Sequence, residues 1–284
     1  MISVIGLGNC GCNLTQKFSV YPQYKAYYIN TIGGYSGHKA HIFPKHSSAE
    51  ENEEKCPDLS GFFDDVDEKV LFIIGGSSHI SAASLRLLSY IQDKEITILY
   101  IRPDVEFLSQ TKKLIENSTF HILQEYARSA VFERIFLVEN ASLESIIDNL
   151  TIANFYDRIN DYMIPIIHMV NVFDNTEPIM TSFSALAPAS RVCTYGILDI
   201  ESSEEKMFFP LDNITEKRYY FGVSEKTLKT DDSLLKKIKG YIRTIPESIR
   251  SSFSIYSTSY EDNFAYIVYC TSEIQTKEKH ARIE

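Results

Sequence analysis

Three groups of residues have types and spacings that could do chemistry. Near the start, Gly6-Leu-Gly8-Asn9-Cys10-Gly11 follows a short apolar run, a G-x-G-x-x-G turn whose backbone N–H groups suit a phosphate. Further on, Gly75-Gly76-Ser77-Ser78 ends a second apolar run and offers two flexible residues followed by two hydroxyls. Third, Tyr156 and Asn160 stand four apart, so on a helix they share a face. A flat heterocyclic base could then meet the Tyr ring by stacking and the Asn amide by paired hydrogen bonds. The alternative for this pair is a Tyr packed in the core and an Asn on the helix surface.

The elements that must position these groups alternate. Val70-Leu-Phe-Ile-Ile74, Ile96-Thr-Ile-Leu-Tyr-Ile101 and Ile135-Phe-Leu-Val138 are short apolar runs of the buried parallel type. Helix-spaced stretches separate them, and Ile2-Ser-Val-Ile5 and Ala26-Tyr-Tyr-Ile29 precede them. The pattern predicts an α/β, doubly wound, mostly parallel sheet over 1–150. The helix after the first glycine turn is expected over 14–18. Residues 38–68 read as a polar surface connection with at most a short helix near 59–66. A long apolar helix is expected over 151–175, kinked or split at Pro165. Residues 176–284 read as a smaller α+β domain, with strands near 192–200, 218–224, 251–257 and 264–270 at hairpin-like spacing and one helix at 234–245.

The 284 residues carry 28 Lys and Arg against 38 Asp and Glu, a net charge of −10. That balance argues against general nucleic-acid binding, which needs clustered bases, and no direct nucleic-acid partner is expected. Residues 50–68 hold nine acids and one base, an acidic stretch that reads as a solvated face or a dock for a basic protein. No apolar run approaches the roughly 18 residues of a membrane span. Five Cys form no disulfide framework and no signal peptide is evident, so a cytoplasmic setting is expected. His38-x-x-His41, with His46, Cys56 and the nearby Glu residues, fits no compact zinc spacing. Cys10 and Cys12 read as small residues that let backbones approach.

A dinucleotide-binding fold would want an acid at the end of the second strand, where Asn30 and Thr31 stand instead; an NAD-binding oxidoreductase is the weaker alternative. The motifs together resemble the tubulin and FtsZ superfamily, in the compact form of phage- or plasmid-encoded tubulins. Gly8-Asn-Cys-Gly-Cys-Asn13 is similar to the tubulin G-Q-C-G-N-Q, and Ile29-Asn30-Thr31 resembles the FtsZ N-T-D loop. The segment from Gly75 to Ala83 falls where FtsZ has G-G-G-T-G-T-G-A-A. The run Leu137-Val-Glu-Asn140 resembles the loop whose Asn meets the nucleotide sugar and base, and Tyr156-x-x-x-Asn160 matches the tubulin Y-x-x-x-N.

This resemblance implies GTP or GDP, with Mg as companion ion, held by Gly8, Asn9, Cys10, Gly11, Asn30, Gly75, Gly76, Ser77, Ser78, Asn140, Tyr156 and Asn160. It also implies head-to-tail self-association into filaments. In FtsZ an N-x-D-x-x-D loop then supplies acids to the next subunit's nucleotide, and Asn175-Thr-Glu177-Pro-Ile-Met180 is the counterpart here. Asn175 and Glu177 are the candidate catalytic residues, while Met180 stands where the second acid would be. His79, Ile80 and Ser81 depart from the phosphate-loop pattern; two of these side chains are expected to intrude on the phosphate site, and the Ser77, Ser78 and Ser81 hydroxyls to replace backbone donors. The rival implied by these departures is a non-catalytic tubulin-fold regulator or scaffold.

Overall fold

A computed structural model describes residues 1–276. β1 (Ile2–Leu7) runs into α1 (Gly8–Phe18), followed by β2 (Tyr24–Asn30), β3 (Lys39–Ile42) and α2 (Ala49–Glu54). Then come β4 (Lys69–Gly75), α3 (Ser84–Ser89), β5 (Glu95–Arg102), α4 (Gln110–Arg128), β6 (Arg134–Glu139), α5 (Asn140–Ile146) and α6 (Phe155–Asp174). The rest is β7 (Met180–Thr181), β8 (Val192–Leu198), β9 (Glu205–Met207), β10 (Glu216–Ser224), α7 (Glu225–Thr230), α8 (Leu234–Ile242), β11 (Arg250–Thr258) and β12 (Phe264–Thr271).

The strands form one mixed sheet in the order β3-β2-β1-β4-β5-β6-β8-β12-β10-β11-β7, with β9 on β8. From β3 to β6 every neighbouring pair is parallel. Only two register pairs, Ile135↔Val192 and Phe136↔Cys193, join β6 to β8, so the strands before and after α6 meet at a short parallel seam. Phe136 stacks on Tyr195 across it with ring centroids 4.3 Å apart.

Both faces are covered, as continuous apolar strands demand. One core places Leu87 and Leu88 of α3, Phe120 and Leu123 of α4 and Ile238 of α8 against the sheet. On the opposite face Leu14 and Phe18 of α1, Leu143 of α5 and a stripe of α6 do the same. That stripe, Ile159, Met163, Ile166, Ile167, Val170 and Phe173, packs against residues from both halves of the sheet, including Leu71, Val138, Tyr195 and Tyr256. None of the described helices is long and apolar enough to cross a membrane.

Several expectations need correction. α1 begins at Gly8, not Leu14. α6 is continuous through Pro165: the proline lies on the solvent face, where water can meet the carbonyl it leaves without an N–H. The strands after α6 are not simple hairpins, because β10 and β11 are parallel with α7 and α8 as the crossover. The connection at 38–68 contains edge strand β3 and helix α2, and it buries Phe43, Leu59, Phe63 and Val66.

Its acids also divide between two ends of the molecule. The Glu residues of α2 lie where that helix packs on the turn His79–Ala83, past the end of β4. Asp64 to Glu68 gather at the strand starts instead. There Asp65 meets Lys25, Lys39 and His38, Asp64 meets Lys39 at 2.5 Å, and Glu68 lies 3.6 Å from Lys94. Asp64, Asp65 and Glu68 are thus each paired with a cation from outside the acidic stretch.

Candidate functional site

The parallel strands end in register. Leu7 lies beside both Ile29 and Ile74, Gly75 beside Ile101, and Arg102 beside Glu139. The loops after β1, β2, β4, β5 and β6 therefore open along one edge. After β1 the chain moves to β2 on one side and returns to β4 on the other, so the crevice at this edge is a topological switch point, the usual ligand position in open α/β sheets.

Gly8 starts α1 with φ +71°, a conformation that side-chain-bearing residues rarely adopt. Gly11 brings α1 onto β4: a Cβ there would stand 2.3 Å from the Ile73 carbonyl oxygen. The α1 N-terminus has no side-chain cap and no acid in its first turn. Its first backbone N–H groups thus face the crevice with no partner in their own helix, a ready anion site strengthened by the helix dipole.

Beside it, Asn30 is buried and donates through Nδ2 to Asn9 Oδ1 at 2.8 Å, while its own Oδ1 accepts from the Thr31 N–H at 2.8 Å. Asn30 thus fixes the first loop to the second. Cys12 donates from Sγ to the Gly6 carbonyl at 3.3 Å, pinning α1 to β1. Burial pushes the Cys10 thiol up to about 12, and the Cys12 thiol also to about 12, with burial its main cause, so both stay protonated at neutral pH. This fits small packing residues rather than redox nucleophiles.

The loop after β4 differs from the expectation. Ser81 is buried and its hydroxyl donates to the Gly75 carbonyl at 2.6 Å, so it closes the turn instead of facing a ligand. Ile80 is buried and its Cγ2 lies 3.1 Å from where a Gly8 Cβ would stand, so its methyl group covers Gly8. His79 is half-buried and faces α2: Glu50 is held below the usual carboxyl range by its own backbone N–H and the Ser48 hydroxyl, with a contribution from His79. Ser77 and Ser78 remain open to the crevice edge, half-buried and exposed respectively. The intruding residue is therefore Ile80, and the hydroxyls left are two.

Asn140 is half-buried at the first position of α5, directly after β6. Tyr156 is 68% exposed and Asn160 half-buried in the first two turns of α6, which packs on both α1 and α5. Lys17 and Asp161 tie α1 to α6 at 2.6 Å. The core alternative for Tyr156 is thereby excluded. Asn175 and Glu177 are not in this constellation. Asn175 lines a cleft of about 800 Å³ with Met1, Ile2 and Lys69, at the strand starts, so the length of α6 separates it from the glycine loops. Its amide donates to the Asn171 carbonyl at 2.7 Å, and Glu177 is exposed.

Sequence reasoning missed Arg102 and Glu116. Arg102 ends β5 with its Nε 3.2 Å from Glu116 Oε1, and the Glu116 side chain is wholly buried. The only local signal was Arg102-Pro103 as the stop of a strand.

No protein-family model matches the sequence, and no curated protein matches it. Solved structures do. The empty FtsZ dimer of M. jannaschii superposes with a TM-score of 0.70 at 11% identity, covering 95% of this chain and 88% of that one. A GTPγS-bound protofilament of CetZ2 from Haloferax volcanii gives 0.67 at 13% identity, covering 95% and 92%. The GTPγS-form protofilament of TubZ from Bacillus thuringiensis serovar israelensis gives 0.65 at 14%, covering 95% and 86%. The chain has the tubulin/FtsZ fold. The likeness runs over nearly its whole length, and two of these three structures are nucleotide-bound protofilaments.

Proposed function

We propose that this chain binds a guanine nucleotide in the crevice after β1 and β4 and associates head to tail with copies of itself. One observation carries the reading: the uncapped α1 N-terminus opens at the switch point, with Gly8 in the positive-φ conformation at its first position. In this account the N–H groups of Gly8, Asn9, Cys10 and Gly11 hold phosphate, with Gly75, Gly76, Ser77 and Ser78 closing the other side. Asn30 orients Asn9. Asn140 serves the sugar, and Tyr156 and Asn160 take the base by stacking and hydrogen bonding.

Bound GTP would supply a phosphoanhydride whose γ-phosphorus is open to attack by water with GDP as the leaving group, with Mg as its companion ion. Glu177 would act in trans, since it stands at the opposite end from its own crevice. It would orient water toward the neighbour's nucleotide, with Asn175 shaping the loop through its bond to Asn171. A second reading, a non-catalytic scaffold of the same fold, is favoured by Ile80 over Gly8 and by Met180 at the second acid's place. Sedimentation with GTP, with GDP and without nucleotide separates the two. GTP-dependent pelleting with release of phosphate is expected; pelleting that ignores nucleotide favours the scaffold, and no pelleting under any condition removes self-association.

A further inference from the structure

Between the loops after β4 and β6 lies β5, and its last residue touches the supports of both. Arg102 donates from Nε to Glu116 Oε1 at 3.2 Å and reaches Glu139 Oε2 with Nη1 at 3.9 Å. Its guanidinium lies 4.7 Å from the Phe120 ring centroid and 5.7 Å from that of Phe209, two neighbouring rings that pack beside it, and it is only 12% exposed.

Each carboxylate leads to one loop. Gly76 rests on the platform that α4 and β5 build: its N–H donates to the Ile101 carbonyl at 3.2 Å, and a Cβ there would stand 1.9 Å from the Tyr100 hydroxyl and 3.1 Å from Glu116 Cγ. The Tyr100 hydroxyl itself donates to the Glu116 carbonyl at 3.4 Å. On the other side, Glu139 Oε1 accepts from the Ser142 hydroxyl at 2.8 Å, in the first turn of the helix that Asn140 opens. The Glu139 N–H donates to the Phe208 carbonyl at 2.9 Å, which anchors this end of β6.

We propose that Arg102 is a positioning residue that holds the loops after β4 and β6 at one spacing across the crevice, so that a single nucleotide can be gripped by both. The role rests on the nucleotide reading above. Arg102 does not serve as a phosphate ligand, because its charge is already shared between two carboxylates in a desolvated niche. Its planar fork matters, since Nε and Nη1 reach Glu116 and Glu139 from one rigid group that also packs against Phe120 and Phe209, a geometry that an ammonium group on a flexible stem does not have.

The test pairs calorimetric GDP binding with amide hydrogen exchange in wild type and Arg102→Lys. The Lys variant keeps a cation beside buried Glu116. It is expected to bind GDP about tenfold more weakly, and amides at 75–78 and 139–141 of the ligand-free protein are expected to exchange faster together. Should it fail to fold, Arg102→Met with Glu116→Gln removes both buried charges at once and is read the same way. Wild-type affinity in the variant, or faster exchange in one loop alone, overturns the role of Arg102 while leaving the nucleotide reading intact. A wild-type chain that takes up no GDP overturns both.

Discussion

Tyr156 is exposed one residue inside a helix that buries most of its apolar side chains, so its ring is offered to something outside the chain. Replacing it by Ala is expected to weaken guanine-nucleotide binding by about 1–3 kcal/mol, the scale of base–aromatic stacking. A thermal melt of the same variant is expected to lie close to wild type, since little buried area is lost. Unchanged affinity would remove Tyr156 from the site. Ser81 is the opposite case: Ser81→Ala deletes the hydroxyl that closes the turn at Gly75, and a loss of about 1 kcal/mol of stability is expected in urea unfolding. At this scale the sequence showed residue types well and their partners poorly. Asn30 was legible as a residue at a strand end, but its bonds to Asn9 and Thr31 depend on how two loops meet. Ile80 and Ser81 showed as departures, yet only packing decides that one covers Gly8 and the other turns inward.

Among the elements, β4, β5 and β6 were readable because burial on both faces demands unbroken apolar runs, and those runs stand out in Val70-Leu-Phe-Ile-Ile74. β3 was not. Lys39-Ala-His-Ile42 is a half-exposed edge, with Lys39 and the neighbouring His38 anchored by Asp65 from far along the chain. The first turns of α1 were hidden for a related reason: glycine and Asn favour loops locally, and only contact with Ile73 makes Gly11 an advantage. The Asp65 clamp has a pH signature. Burial opposes ionisation of Asp65, but hydrogen bonds from Lys39, His38, Lys25 and Tyr27 outweigh it and hold the carboxyl well below the usual range. Because the folded value is depressed, the clamp is fully present above the ordinary carboxyl pKa and is lost as pH falls below it toward the folded value. Chemical denaturation is therefore expected to show stability declining below about pH 4. In Asp65→Asn, stability should already be lower at neutral pH, with a shallower acid decline. An identical acid limb in both proteins would show that the clamp carries no linkage.

At the scale of the whole molecule, α6 sets the geometry of function. Its 20 residues span about 30 Å, with Tyr156 and Asn160 near one end of the sheet and Asn175 by the cleft at the other. In the proposed reading, a nucleotide face and a loop bearing Glu177 on opposite ends would give a heterologous contact, which builds an open chain when the rotation does not close. Glu177→Lys is therefore expected to abolish GTP-dependent pelleting while leaving GDP affinity at its wild-type value; loss of both would mean that Glu177 acts within its own subunit. The long helix was legible from its apolar spacing, and so was the order of the loops. The parallel seam at Ile135 and Phe136 was not, because two register pairs leave no local pattern. Calorimetric titration of the purified chain with GDP tests the central claim most directly. One site per chain, with heat that saturates and is lost when Tyr156 is replaced, is the expected result; no heat of binding at millimolar GDP would contradict the account.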